Sequence, residues 1–210
     1  MKPFKIHCSQ INKILGDSKP KGGLPVTCQT FLKEWYAGDH EEIFSKELQK
    51  GVIVEPLNID LLGQVLDIDV QKNELKFEDE YFIGTCDVDI KELDMIADIK
   101  SPWNNKTFQK SAMLNAMDED YEMQGRGYMR LYNRSKFLLF YGLQNTPAGV
   151  NYGKDVTFDH IDWDQRWVAY KITRDVTIEQ QIIQRVIECR AWLSDYDKKI
   201  KARLGKVIEV

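Results

Sequence analysis

The 210-residue sequence lacks the features that mark membrane proteins, secreted proteins and zinc proteins. It has no run of about 18 apolar residues, so no membrane-spanning helix is predicted. The N-terminal stretch Met1–Lys5 has no apolar core of a signal peptide. Its four cysteines include no Cys-X-X-Cys pair, and its three histidines form no ligand pair, which argues against zinc and against a disulfide framework. We therefore predict a cytoplasmic protein with no membrane partner.

The charge balance shows no excess of basic residues. With 29 Lys and Arg against 33 Asp and Glu, the net charge is −4, which is unlike a protein that coats nucleic acid. An enzyme with an acidic site and local basic residues remains compatible with this charge. Hydrophobic residues make up 43% of the chain and no internal repeat is present, so one globular domain spanning residues 1–210 is predicted.

The stretch Gly84–Lys100 predicts two short strands joined by a charged turn at Lys91–Asp94. Side chains alternate along a strand, so Asp98 and Lys100 are expected on one face and Ile99 on the other. Holding a carboxylate and an amine on a mostly buried strand is costly unless the protein uses them. This stretch is therefore the centre of the predicted site.

A second carboxylate, Asp87, is expected to converge on Asp98 from the neighbouring strand. Two carboxylates that close repel each other, and a divalent cation relieves the repulsion. Asp89 lies on the same predicted strand face as Asp87 and is the main rival for a ligand role. The acidic loop with Asp159, Asp162 and Asp164 is either a second metal site or a solvated loop.

The rest of the chain alternates between predicted helices and strands. A further apolar helix follows Gly51 and carries Glu55 near its start, where a helix-dipole role is the simple alternative. Pro56 is expected to interrupt any helix that runs through from Gly51. Helices are also predicted at Ser9–Leu15, Thr27–Tyr36, Asp39–Lys50, Thr107–Met117 and Thr177–Leu204, and strands at Gln71–Tyr81, Phe137–Tyr141 and Arg166–Ile172.

Two of these segments leave alternatives open. An apolar seam along Thr177–Leu204 packs either on this chain's own sheet or against another copy. In the helix that carries Gln124 and Tyr128 four residues apart on one face, Gly125 and Gly127 indicate either loose packing on the sheet or close approach of another backbone, including DNA.

Four motifs occur in a fixed order within residues 51–132. They are Gly51-X-X-X-Glu55-Pro56, Asp87, Asp98-Ile99-Lys100 and Gln124-X-X-X-Tyr128. Together they resemble the core of the PD-(D/E)XK nucleases, specifically the RecB-like lambda-exonuclease and YqaJ-type recombination family. The resemblance implies an α/β (α+β) fold with a restriction-endonuclease-like core, in which a central mixed β-sheet is flanked by helices.

The resemblance also implies roles for individual residues. Glu55, Asp87, Asp98 and the carbonyl of Ile99 would hold one or two Mg²⁺ ions, with Mn²⁺ expected to substitute. Lys100 would orient the attacking water, with its pKa lowered by the cation, and its simple alternative is a salt bridge to Asp98. Gln124 would position Lys100 or the substrate. No iron–sulfur cluster is expected, because the related clusters use one early and three late cysteines, and this chain has three early and one late.

Several residues near this core are predicted to contact DNA. Tyr128 would contact the backbone and Trp103 would stack on a base or stay buried. The basic candidates for phosphate contacts are Lys106, Lys110, Arg126, Arg130 and Arg134.

The implied function is Mg²⁺-dependent exonuclease action on the ends of linear duplex DNA, in phage-type recombination by single-strand annealing. A single-strand annealing protein and a ring-shaped homo-oligomer would be its partners, and a phage-encoded protein would act in the host cytoplasm. Two alternatives are a structure- or sequence-specific endonuclease of the same fold and an inactive nucleic-acid-binding module.

Overall fold

The computed structural model describes residues 3–16, 23–38 and 45–205. Short 3₁₀ turns cover Cys8–Gln10, Lys91–Leu93 and Trp163–Gln165. The strands are β1 (Ile6–His7), β2 (Phe77–Glu78), β3 (Phe82–Gly84), β4 (Val88–Ile90), β5 (Met95–Lys100), β6 (Lys136–Gly142) and β7 (Trp167–Thr173), and the helices are α1 (Asn12–Leu15), α2 (Val26–Ala37), α3 (Lys46–Leu66), α4 (Asn105–Ala112), α5 (Glu119–Leu131) and α6 (Val176–Lys201).

The main sheet has four strands in the order β4-β5-β6-β7. β5 and β6 run parallel at its centre, whereas β4 and β7 pair antiparallel to them. A smaller sheet has the order β1-β3-β2, with β1 parallel and β2 antiparallel to β3. The predicted mixed sheet flanked by helices is therefore confirmed. No described helix combines the length and the apolar character needed to cross a membrane.

The two faces of β5 are buried against different helices. Met95, Ala97 and Ile99 pack in a cluster with residues of α3, whereas Ile96 packs in a larger cluster with residues of α2, α5 and α6. Because side chains alternate along a strand, Asp98 lies on the α5 side of the sheet. The sheet therefore brings the acidic residue of its central strand toward α5.

Helix α3 runs without a break through Pro56, contrary to the prediction. Pro56 has no backbone N–H group to donate to the carbonyl of Val52. Val52 is largely exposed, so water can donate to that carbonyl instead. Glu55 consequently lies in the middle of a 21-residue helix and not near its start, which removes the helix-dipole explanation for this carboxylate. Of the helix predicted at Asp39–Lys50, residues 39–44 lie outside the described part of the chain.

Two other predicted elements are shorter than expected. The strand predicted at Gln71–Tyr81 is reduced to Phe77–Glu78, because the preceding segment is polar and Asn73 bonds to Cys86 and Tyr132 instead of continuing a ladder. The helix predicted at Thr107–Met117 ends at Ala112. There the hydroxyl of Tyr170 lies 2.6 Å from the carbonyl oxygen of Ser111, to which it donates, and 3.2 Å from that of Leu114.

The helix predicted at Ser9–Leu15 is also divided. Residues Cys8–Gln10 form a 3₁₀ turn, and only Asn12–Leu15 are α-helical. The backbone N–H of Ile11 donates to the carbonyl of Cys8, the tighter bond of a 3₁₀ turn.

Helix α5 lies close to its neighbours because of its two glycines. A Cβ added at Gly125 would lie 2.2 Å from the ring of Phe137 in β6, and one at Gly127 would lie 2.7 Å from Ile11. Packing within this chain therefore explains both glycines, and the alternative of DNA approaching the helix here is excluded.

The seam of α6 packs inside this chain. Ile182, Val186, Cys189 and Leu193 are all buried in the cluster shared with α2 and α5, so these seam positions are not available to another copy. Asp175 caps the helix by accepting from the backbone N–H groups of Thr177 and Ile178. All four cysteine thiols are free and buried.

Candidate active site

One open cavity, with a volume of about 490 Å³, brings the predicted site residues together. Its wall includes Glu55 of α3, Asp87 before β4, and Asp98, Ile99 and Lys100 of β5. Gln124, Tyr128 and Tyr121 of α5 and Thr107 and Ser111 of α4 complete it. Five separate segments of the chain therefore contribute polar groups to one surface.

Pairing of β4 with β5 fixes the position of Asp87 relative to Asp98. Val88 lies opposite Ala97. Asp87, the residue before Val88, therefore lies opposite Asp98, the residue after Ala97. The backbone N–H of Ile99 donates to Asp87 Oδ2 at 2.6 Å. Asp87 is thus held across the strand pair from Asp98, on the same face.

Asp98 is the most buried of the acidic residues in the cavity, at 3% exposure. Its Oδ1 accepts from Gln124 Nε2 at 3.0 Å, and its Oδ2 lies 2.6 Å from Lys100 Nζ. Gln124 Nε2 also donates to the hydroxyl of Tyr128 at 3.1 Å. The salt bridge between Lys100 and Asp98 is present, together with a network from α5 that orients the same carboxylate.

Among the ionisable groups of the cavity, Asp87 and Lys100 have shifted pKa values that bear on its charge. Burial and the nearby charge of Asp98 raise the pKa of Asp87 to about 7, although the hydrogen bond from Ile99 opposes the shift. Burial alone would lower the pKa of Lys100, but the charge of Asp98 outweighs it and the pKa is raised. The carboxylates of the cavity therefore carry more negative charge than the ammonium group of Lys100 neutralises.

Glu55 forms an ion pair that no sequence pattern predicts. Its Oε1 lies 2.9 Å from Lys72 Nζ, and the hydrogen bond with Glu55 raises the pKa of Lys72. Lys72 belongs to the exposed segment that follows α3. No periodicity or motif marks that segment, so the partnership depends on tertiary structure alone.

The chemistry of the donor atoms fits a hard divalent cation, which prefers oxygen ligands. Asp98 Oδ2 and Glu55 Oε1 are buried, and each faces the ammonium group of a lysine. Within residues 3–16, 23–38 and 45–205, no three acidic, histidine or cysteine side chains are gathered closely enough to form a metal site. A cation at Glu55 or Asp98 would therefore replace a lysine contact.

Solved structures with the same architecture are exonucleases, whereas the sequence matches no family model and no curated protein. A phage-related exonuclease from Haemophilus somnus 129PT superposes with a TM-score of 0.78 at 24% identity, over 94% of this chain and 96% of that one. An alkaline exonuclease (LHK-Exo) from Laribacter hongkongensis gives 0.71 at 16% identity, over 96% and 95%. The chain has the fold of these exonucleases. The restriction-endonuclease-like fold that the motifs implied is confirmed.

Within this exonuclease fold, two of the predicted DNA contacts are buried. The side chain of Arg126 is 9% exposed and donates to the carbonyl of Thr173 and to Glu122. Tyr128 is 5% exposed, and its hydroxyl supports Gln124. The guanidinium of Arg126 therefore holds α5 in place and presents no surface to a DNA backbone, whereas Tyr128 lines the cavity and its contact with DNA stays a prediction.

Two other predicted phosphate contacts are engaged in ion pairs. Arg130 Nε lies 2.7 Å from Asp79 Oδ2, and Arg134 binds both carboxylate oxygens of Asp89 at 2.7 and 3.0 Å. Because Asp89 is taken up by this bidentate pair, it is not the rival ligand that its position suggested. One ion pair ties the end of α5 to the turn before β3, and the other ties the segment after α5 to β4.

The exonuclease fold leaves Lys106 and Lys110 exposed on α4, the helix whose Thr107 and Ser111 line the cavity. Trp103 is half-buried before this helix. The two lysines are therefore the predicted phosphate contacts that lie free beside the site. In the predicted acidic loop, Asp159 accepts from Asn145, and no metal cluster forms there within the described residues.

Two polar residues of α3 that sequence reasoning missed tie this helix to the ends of the central strands. Lys50 is fully buried, and its Nζ donates to the carbonyls of Pro102 and Trp103 at 2.7 and 2.9 Å. Burial lowers the pKa of Lys50 to about 8. Asn58 Nδ2 donates to Ser101 Oγ and to the carbonyl of Gly142 at 2.8 and 3.1 Å. Both residues set the position of α3 against β5.

Proposed function

We propose that this protein is a metal-dependent DNA exonuclease that hydrolyses phosphodiester bonds from the ends of linear duplex DNA. The observation that carries the proposal is the coincidence of an exonuclease fold with a cavity lined by Glu55, Asp87, Asp98 and Lys100. A second structure of LHK-Exo, which superposes with a TM-score of 0.69 at 16% identity over 96% of this chain and 95% of that one, is a complex with dAMP. A nucleotide bound by a protein of the same fold supports DNA as the substrate.

The cation in this proposal is Mg²⁺ or Mn²⁺. Glu55, Asp87, Asp98 and the carbonyl of Ile99 are the groups that would hold it, because all four offer hard oxygen donors on one cavity; the three carboxylates, which do not form a ready-made cluster, would have to draw together around the ion. When bound, such an ion lowers the pKa of a coordinated water and stabilises charge on the scissile phosphate. The raised pKa of Asp87 supports this assignment, because burial and the nearby charge of Asp98 disfavour its ionised form, which a bound cation would stabilise.

The remaining polar residues of the cavity orient these groups. Lys100 is largely buried beside Asp98 and holds its charge next to the reacting phosphate, where it can offset negative charge and direct a water molecule. Gln124 fixes the orientation of Asp98 and is itself fixed by Tyr128. The half-buried ring of Tyr121 lies against the ammonium of Lys100 at 4.5 Å and limits its movement.

The decisive experiment is incubation with end-labelled linear duplex DNA and Mg²⁺. We expect release of nucleotides from the ends, loss of activity in EDTA and a loss of at least about 100-fold in Lys100→Ala. Lys171→Ala is the matched control, because Lys171 is exposed on β7. Cleavage of closed circular DNA would favour an endonuclease of the same fold. Absence of any cleavage would favour the inactive binding module.

The biological setting is part of the same proposal. Structural likeness to a phage-related exonuclease supports action in phage-type recombination. A single-strand annealing protein and a ring of identical subunits remain the proposed partners. Size-exclusion chromatography with light scattering tests the ring, and a monomer at all concentrations would contradict it.

A further inference from the structure

Lys72 is paired with Glu55 of the cavity wall and is a second positive charge that the proposed reaction has not yet used. Its ammonium lies 2.9 Å from Glu55 Oε1. The side chain of Lys72 is 50% exposed, whereas that of Glu55 is only 16% exposed. The ammonium group of Lys72 therefore contacts a mostly buried carboxylate while half of its side chain is exposed to solvent. If the ion pair breaks, the ammonium group can move away and stay hydrated.

The backbone beside Lys72 is held firmly. The N–H of the next residue, Asn73, donates to the carbonyl of Asp87 at 2.7 Å, and its side-chain amide donates to the carbonyl of Cys86 and to the hydroxyl of Tyr132 at 2.9 Å each. These bonds anchor the segment to the residues just before β4. The ammonium group of Lys72 therefore stays near Glu55 and Asp87, whether or not it is paired with Glu55.

Lys72 and Lys100 differ in their freedom. Lys100 belongs to β5, is half as exposed as Lys72 at 26%, and lies against Asp98 and Tyr121. Lys72 is in an irregular segment and makes its one described ion pair with Glu55. A divalent cation that approaches Glu55 repels a neighbouring ammonium, and Lys72 is the lysine that can swing aside.

We propose that Lys72 competes with the cation for Glu55 and, once displaced, contacts a phosphate of the DNA strand in the cavity. The inference rests on the proposed function, because it requires both a cation at Glu55 and a DNA substrate. It assigns two opposite effects to one side chain: Lys72 weakens cation binding and strengthens DNA binding. A lysine that serves only to stabilise the fold would produce neither effect.

The cation arm of the test uses Mn²⁺ binding measured by electron paramagnetic resonance on the full chain. Removing the competitor in Lys72→Ala should tighten Mn²⁺ binding about two- to fivefold, the range expected for a partly exposed ion pair. Lys72→Arg, which keeps the charge, should restore the affinity of the original protein. Lys76→Ala is the matched control, because Lys76 is an exposed lysine of the same segment, and it should leave Mn²⁺ affinity unchanged.

The DNA arm measures duplex binding with Ca²⁺ in place of Mg²⁺ over a series of salt concentrations. Loss of one phosphate contact in Lys72→Ala should reduce the slope of log Kd against log salt by about 0.9. Lys72→Arg should keep the full slope. An unchanged slope in Lys72→Ala would overturn the phosphate contact.

The outcomes separate this inference from the proposed function. If the original protein binds Mn²⁺ and cuts DNA while Lys72→Ala shows unchanged or weaker Mn²⁺ binding, the competition is refuted and the nuclease assignment stands. If the original protein neither binds Mn²⁺ nor cuts DNA, both are refuted. Tighter Mn²⁺ binding together with a reduced salt slope establishes both roles of Lys72.

Discussion

Replacing Lys50 with methionine should change how the stability of the protein depends on pH. Lys50 is fully buried in α3, its ammonium donates to two carbonyls beyond β5, and it lies 5.7 Å from the ring of Phe158. Methionine has a similar length and no charge. The substitution therefore removes the buried amine while keeping most of the side-chain volume.

The sign and size of the effect follow from the lowered pKa. Burial moves the pKa of Lys50 from 10.5 in the unfolded chain to about 8 in the folded protein. Between these two values the unfolded chain binds more protons than the folded one, so stability rises with pH. Relative to Lys50→Met, the original protein should gain about 1.3 kcal/mol between pH 7 and pH 9, and about 3 kcal/mol by pH 10.5.

The assay is urea unfolding of both proteins at a series of pH values from 7 to 10.5, with the difference in unfolding free energy plotted against pH. Titration of all other groups cancels in this difference. Lys171→Met, at an exposed position of β7, is the control and should give a difference that does not change with pH. A flat difference for Lys50→Met as well would refute the claim that folding desolvates this amine.

Three further substitutions test the packing and the reassigned residues. Gly125→Ala should lower the free energy of unfolding by about 1–3 kcal/mol, because its Cβ would overlap the ring of Phe137; calorimetry showing full stability would contradict that contact. Arg126→Met should lower stability yet leave the salt slope of DNA binding unchanged, because its guanidinium is buried; a slope reduced by about one would restore it as a phosphate contact. Asn58→Asp places an acceptor against the carbonyl of Gly142 and should cost about 1–3 kcal/mol in urea unfolding, whereas an unaltered midpoint would exclude the bond.

The local arrangement around β5 was predictable because it depends on short sequence intervals. Strand alternation puts Asp98 and Lys100 on one face, and they are joined at 2.6 Å. Helix periodicity puts Gln124 one turn from Tyr128, and they are hydrogen-bonded. The mixed sheet between helices was implied by the resemblance of the four motifs to the nuclease family. The metal and catalytic roles of these residues stay predictions.

What the sequence could not reveal is set by partners distant along the chain. Arg126, Arg130 and Arg134 follow the core closely, and nearness in sequence suggested phosphate contacts. Their partners Thr173, Asp79 and Asp89 lie more than 40 residues away. Periodicity reports which face of a helix a residue occupies, but it does not report which charge meets it there.

The uninterrupted course of α3 was missed for a different reason. Local propensity counts Pro56 as a helix breaker. Tertiary packing of Ile59 and Leu62 against the sheet overrides that local cost.

Because α3 is continuous, the contacts made by three of its residues all depend on how this one helix is rotated about its axis. Lys50, Glu55 and Asn58 each meet a different partner: the turn after β5, the cavity, and the ends of β5 and β6. One residue inserted between Lys50 and Glu55 would turn one part of the helix against the other by about 100° and shift it by about 1.5 Å. The same insertion beyond Leu66 would leave all three in register. Length variation is therefore forbidden inside this helix and tolerated just outside it.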